Sequence, residues 1–361
     1  MEKKRIQSLI LIFIIMMLIV GCSETLNSGI EIPERELTIT QIRDRASYQQ
    51  VDPAMLTPVT EPIMLELGAI GFGVENPNRG ISPTSGGVHH LTDRQDTLLA
   101  HVENGTEEDR IFIFKLFINY QEIPFYIGDA TVADTEFTFL VPAFYEANIP
   151  FQLGIELTEG NQTYKLMAVV FEAPHLHVSD DEELIYSFQM ALNYDLFLGA
   201  GGEITLTESH QEANYQIEWQ LAGLGVIGLL DPEAEELFPS IDGVLPIPLQ
   251  VRRGEMVELA FLGNPVVRVT DGIPDEVDDY VIVMMLDWQQ IYPNGSPYLL
   301  LTANESRGLL VDYDTFTFLA PEETGLFEFI AIMIPNPTRE NSPETFFPVE
   351  VAHRFTIEVI E

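Results

Sequence analysis

A single cysteine, Cys22, stands in 361 residues. That excludes an intramolecular disulfide and leaves the fold to rest on its hydrophobic core. Positive charge is scarce: 17 Lys and Arg face 57 Asp and Glu, a formal net charge of −40 at pH 7. A surface of that sign repels nucleic acid and anionic lipid, so nucleic-acid binding is excluded. No apolar run reaches the roughly 20 residues of a membrane-spanning helix; residues 9–20 make a run of twelve. Helical periodicity is scarcely seen. Enzyme signatures are missing as well: there is no Gly-x-Ser-x-Gly elbow, no His-Glu-x-x-His and no phosphate loop. Gly199-Ala-Gly-Gly202 lacks the Lys of such a loop and reads as a flexible joint.

What is present begins with the leader. Lys3, Lys4 and Arg5 precede the apolar run, whose length suits the roughly 7–15 residues of a secretory hydrophobic core. Small Gly21 comes just before Cys22. The layout resembles a bacterial lipoprotein signal peptide, with Ile19-Val20-Gly21-Cys22 as its lipobox. The resemblance implies that residues 1–21 are removed, that Cys22 is lipidated on sulfur, and that the product sits on the extracytoplasmic face of a bacterial membrane. Two or more acyl chains hold such a protein firmly. The mature chain would keep 14 basic against 56 acidic side chains, a formal −42.

Residues 22–60 are polar, contain Pro33, Pro53 and Pro58, and read as a flexible tether, with a short helix expected over 36–50. From residue 61 the pattern is β. Phe137 and Phe139 alternate with Glu136 and Thr138, while residues 110–118 and 280–286 are nearly continuous apolar runs. Gly, Pro, Asn and Asp punctuate the runs as an all-β sandwich requires. A short surface helix is expected over 231–238, capped by Asp231.

Five blocks recur in the same order. Residues 97–104 match 256–263, 119–123 match 287–291, 137–142 match 316–321, 165–174 match 328–337, and 188–194 match 349–355. The expected organisation is therefore two tandem β-sandwich domains, 61–200 and 201–361. It resembles the immunoglobulin-like modules of bacterial surface proteins, a resemblance of fold that carries no activity.

Candidate chemistry is thin. Asp271-Gly-Ile-Pro-Asp275, followed by Asp278 and Asp279, resembles the second half of calcium repeats, since calcium needs several converging hard oxygens. Val267 and Val269 stand where that pattern has two further aspartates, so an acidic turn is the plainer reading. His175 and His177 are spaced to share a side of an extended segment, with Asp180 and Asp181 near, as a zinc site would want. His89 and His90 would face opposite ways. Tyr292, Tyr298, Phe346 and Phe347 are expected in loops, where aromatics could stack on sugars; Trp219 and Trp288 are expected in the core.

The sequence thus supports a non-enzymatic, membrane-anchored surface lipoprotein acting in binding, adhesion or envelope scaffolding. No cofactor is implied. Its partners would be the membrane, through lipid on Cys22, and a protein or glycan at the cell envelope. The alternatives are a glycan- or calcium-binding accessory of a transporter or cell-wall enzyme, and an unrecognised hydrolase.

Overall fold

In a computed structural model, the chain divides into Met1–Arg35 and Glu36–Glu361. The structure describes residues 48–59, 70–77, 87–91, 96–158, 163–179, 187–198, 206, 211–212, 215–218, 225–228, 248–263, 266–268, 274–276, 279–302, 310–340, 349–352 and 354–361. Cys22 and its leader, the glycine joint, Trp219 and the helix expected over 231–238 lie outside them.

The first half of Glu36–Glu361 runs through twelve strands: β1 (Gln49–Gln50), β2 (Leu56–Pro58), β3 (Ile70–Glu75), β4 (Val88–Leu91), β5 (Leu98–Asn104) and β6 (Arg110–Ile118), then β7 (Gln121–Glu122), β8 (Phe125–Ile127), β9 (Phe137–Val141), β10 (Tyr145–Leu153), β11 (Thr163–Glu172) and β12 (Gln189–Leu198). The second half contributes β13 (Gln211–Glu212), β14 (Tyr215–Glu218), β15 (Gly225–Gly228), β16 (Leu249–Arg252), β17 (Met256–Gly263), β18 (Val266–Arg268) and β19 (Pro274–Glu276). It continues with β20 (Asp279–Leu286), β21 (Gln289–Gln290), β22 (Leu299–Thr302), β23 (Leu310–Leu319), β24 (Gly325–Pro335), β25 (Glu350–Val351) and β26 (Phe355–Ile360).

Each half forms an inner and an outer sheet. The first inner sheet has the order β1-β9-β6-β11-β12-β4, and the second has β13-β22-β20-β24-β26-β16. The outer sheets are β2-β10-β5-β3 and β14-β23-β17-β15. The orders superpose strand for strand, down to the parallel pairs β1–β9 with β13–β22 and β12–β4 with β26–β16. Strands β3, β5 and β10 share one sheet and β6, β11 and β12 the other, which is the division of an immunoglobulin-like sandwich. Among the described residues, no strand pair joins the two halves.

The tether ends earlier than expected. Gln49–Gln50 pairs in parallel with β9, and Leu56–Pro58 pairs with β10, so both sheets of the first half gain an edge strand from residues expected to be loose. Pro58 closes β2 at an edge, where its missing N–H is tolerated, and Asp52 caps the short 3-10 turn Pro53–Met55 through the Ala54 amide. No helix occupies Gln49–Gln50.

Four of the five sequence blocks fall on equivalent strands. The exception is residues 137–142 against 316–321. Phe137 and Phe139 lie on inner-sheet β9, whereas Phe316 and Phe318 lie on outer-sheet β23, whose counterpart is β10. An alternating Phe-Thr-Phe string suits any half-buried strand beside a Pro turn, so composition mimicked descent there.

The continuous apolar runs have a physical cause beyond central position in a sheet. Along β20, Tyr280, Ile282 and Met284 pack into the core of the second sandwich with Leu259, Phe316 and Phe329. Val281, Val283 and Met285 point the other way, into a cluster shared with Ile113, Phe117, Met167, Val169 and Phe171 of the first half. The inner sheets therefore pack face to face. On the far side of the first inner sheet, Phe114 contacts Phe72, Phe125 and Phe151 of the outer layer. The result is four stacked sheets, outer–inner–inner–outer, in which the central strands β6, β11, β20 and β24 of the inner pair are buried on both faces and have lost the polar alternation of a half-exposed strand.

Candidate functional site

Among the described residues, buried polar chemistry gathers in the seam between the inner sheets. Two turns begin it. Asn119–Tyr120 joins β6 to β7 and Asp287–Trp288 joins β20 to β21, with φ of 47° and 67° in the first and 50° and 67° in the second. Both residues of a two-residue hairpin turn adopt positive φ when its twist matches the strands; Asn and Asp suit the first position and Gly normally takes the second. Here a bulky aromatic takes it, against its backbone preference. Burial holds each ring in place, since Tyr120 and Trp288 are both enclosed in the seam.

Each ring reaches across to the other half. Trp288 Nε1 donates to the Pro174 carbonyl at 3.0 Å, and Tyr120 Oη donates to the Pro337 carbonyl at 3.2 Å. These prolines occupy equivalent places just past β11 and β24, beside Ala173 and Asn336, which share a left-handed backbone at φ 48° and 45°. The halves thus strap each other reciprocally, as in an isologous interface folded into one chain. At its centre Gln290 accepts from the Glu122 amide at 2.8 Å and donates to the Tyr120 and Pro297 carbonyls.

Charge is buried under both straps. Arg354 and Glu328 pair at 2.7 Å with almost no exposure. Arg354 also donates to the Glu172, Ala173 and Leu176 carbonyls of the first half and lies 5.0 Å from the Trp288 ring centre. Glu328 accepts from Thr356 Oγ1 at 2.5 Å and from the Val178 amide at 3.2 Å. Burial alone would raise the Glu328 carboxyl; His177, Arg354 and Thr356 together hold it below its ordinary value. Under the other strap, Lys165 and Asp195 face each other across β11 and β12 at 2.5 Å, both fully buried, and Lys165 Nζ also donates to the Arg339 carbonyl at 2.5 Å. Burial pulls the Lys165 amine down despite Asp195 beside it. Beneath Ile113 and Phe117, Lys115 is buried against Glu122 at 2.5 Å and Glu136 at 3.5 Å.

The sequence candidates distribute as follows. His177 joins the Arg354–Glu328 network, its Nδ1 3.3 Å from Glu328 Oε1. His89 and His90 do face opposite ways on β4: His89 is buried against Tyr194, with ring centres 4.6 Å apart, and His90 stacks on Phe197 at 5.0 Å. Asp275 lies in β19, which pairs with β18, and Asp279 opens β20, where its carbonyl accepts from the Asn336 amide. Asp271 and Asp278 lie outside the described residues, as do Phe346, Phe347, Asp180 and Asp181. Among the described residues no group of three or more His, Cys, Asp or Glu is placed to hold a metal ion. Of the loop aromatics, Tyr298 is not a sugar platform: it is buried in the seam, edge-on to Tyr120 at 5.9 Å. Tyr292 is exposed.

Sequence reasoning missed the seam. One signal pointed to it. The repeated blocks Asn119-Tyr-Gln-Glu-Ile123 and Asp287-Trp-Gln-Gln-Ile291 each carry an aromatic where a hairpin turn calls for glycine.

No protein-family model matches the chain, and no curated protein does. Among solved structures it is similar to the C-terminal domain of the antigen I/II polypeptide BspA of Streptococcus agalactiae, at 12% identity over 81% of this chain and 100% of that one, TM-score 0.22. It is also similar to the C-terminal domain of the Streptococcus pyogenes antigen I/II-family protein AspA, at 9% identity over 81% and 100%, TM-score 0.22. The E. coli chaperone DraB matches at 8% over 81% and 98%, TM-score 0.22. Likeness at this level says nothing of function.

Proposed function

We propose that the chain is a non-enzymatic lipoprotein held by lipid on Cys22 at the extracytoplasmic face of a bacterial membrane. There its double sandwich serves as a rigid body for binding, adhesion or scaffolding in the envelope. The observation that carries the reading is the seam. Buried side chains that could do chemistry, Lys165, Glu328 and Arg354 among them, are spent on hydrogen bonds that lock two sandwiches together. What the lock leaves outward is the pair of outer sheets, as a rigid scaffold for contacts would require. The acidic surface, formally −42 after the leader, would hold that body off anionic headgroups, so the lipid rather than the protein surface makes the membrane contact.

Metabolic labelling with a fatty-acid probe tests the anchor. The native protein should carry label, lack residues 1–21 and sediment with membranes, while Cys22→Ala should lose label and membrane association together. An unlabelled Cys22, or a leader still attached, would defeat the reading. Affinity capture on purified envelope polysaccharides and envelope proteins then separates a glycan partner from a protein partner.

A further inference from the structure

We propose that Lys165 and Asp195 condense into an intramolecular amide that covalently staples β11 to β12 beneath the second half's strap. The pair stand directly opposite in the β11–β12 register, Nζ is 2.5 Å from Oδ1, and neither side chain has any exposure. Holding an amine against a carboxyl in this way is worth an effective concentration of roughly 10⁵ M or more, which offsets the unfavourable equilibrium of amide formation in water. Burial acts in the same direction. It penalises the ammonium–carboxylate form and lowers the Lys165 amine, whereas an amide carries no charge.

The step balances without an added reactant. One ammonium proton of Lys165 passes to the Asp195 carboxylate, giving a neutral amine and a carboxylic acid. The Nζ lone pair attacks Cγ, the Cγ–O bond to the hydroxyl breaks, and the hydroxyl leaves as water with a second proton from Nζ. The amide keeps one N–H, and the Arg339 carbonyl, 2.5 Å from Nζ, is already placed to accept it. The overlying strap then excludes the water that reversal needs.

Among the described residues, the two comparable buried ion pairs lack one requirement each. Glu328 is matched with Arg354, whose guanidinium stays protonated and is no nucleophile. Lys115 is buried, but its partners Glu122 and Glu136 are 13% and 27% exposed, so water reaches both carboxyl groups.

The test is peptide mass spectrometry on the purified, natively folded chain, denatured and digested. A branched peptide joining the segments around Lys165 and Asp195, lighter by one water than their sum, is expected, and Asp195→Ala should replace it with two linear peptides. Acylation of the denatured native protein with an amine reagent supplies a readout that needs no variant. Lys115 should be modified and Lys165 should not. Linear peptides from the native protein, with Lys165 freely acylated, would overturn the proposal.

Discussion

His89 is fully buried on edge strand β4, and neither ring nitrogen has a hydrogen-bond partner. Desolvation, with a smaller contribution from His90, lowers its pKa from 6.5 to about 4. The unfolded chain therefore binds a proton between pH 6.5 and pH 4 that the folded chain does not. Stability must fall as pH drops through that window and stop falling, on this account, below about 4. A shift of this size costs about 3 kcal/mol once complete, at roughly 1.4 kcal/mol per unit. Other groups titrate over the same range, so the prediction is a difference between proteins. His89→Leu keeps the side chain apolar and of similar size while removing the titration. Urea unfolding at half-unit steps from pH 4 to pH 7.5 should show the native protein losing about 3 kcal/mol more than the variant, a sizeable part of a typical stability. At pH 7 the variant should be no less stable, because two unmet polar atoms have left the core. Parallel curves for the two proteins would refute the reasoning.

The seam supports three further measurements. Arg354→Ala strands the buried Glu328 carboxylate and should cost about 3–5 kcal/mol by denaturant unfolding, whereas Glu328→Leu with Arg354→Met should recover most of that loss. Tyr120→Phe removes the bond to the Pro337 carbonyl and the one accepted from Asn193 Nδ2 and should cost about 1–2 kcal/mol; Trp288→Phe loses the bond to Pro174 together with ring volume and should cost more, read as a fall in melting temperature. Tyr298→Ala should cost about 3–5 kcal/mol as a core truncation, while exposed Tyr292→Ala should stay within about 0.5 kcal/mol. Equal effects of the two tyrosine changes would mean that Tyr298 is not seated in the seam.

Much of the fold was legible because strands announce themselves by period. The alternation of β9 and β10 reports one buried face, and the turn residues between runs fix where strands stop. The repeat was legible where the chain makes an unusual local demand, as at Asn119–Tyr120 and Asp287–Trp288. It misled where the string was generic, as at Phe137 and Phe316. The short edge strands Gln49–Gln50 and Leu56–Pro58 were invisible. Two or three polar or Pro-flanked residues carry no period, and only the β9 and β10 edges, far along the chain, give them hydrogen bonds.

The seam was half visible. Runs such as Val281-Ile-Val-Met-Met285 say that both faces of a strand are covered, yet a run cannot say by what. A central strand of one thick sandwich and an inner strand of two stacked sandwiches read alike. What separates them is the scattered polar set of Lys115, Lys165, Asp195, Glu328 and Arg354, set into otherwise apolar strands. A lysine within Ile-Phe-Lys-Leu-Phe looks like a break in a core strand when β6 is read alone. Covered by a second sheet, it needs a partner or leaves a charge buried and unmatched, and Glu122 and Glu136 of its own half supply one. Charges of this kind specify which face meets which, and in what register, more sharply than apolar area does. The two inner sheets have matching strand orders, and each could in principle pack against a copy of itself from another molecule. The asymmetry between the Lys165–Asp195 pair and the Glu328–Arg354 pair works against that. Arg354 needs the Glu172, Ala173 and Leu176 carbonyls and Lys165 needs that of Arg339, so each strap matches the inner sheet of the other half.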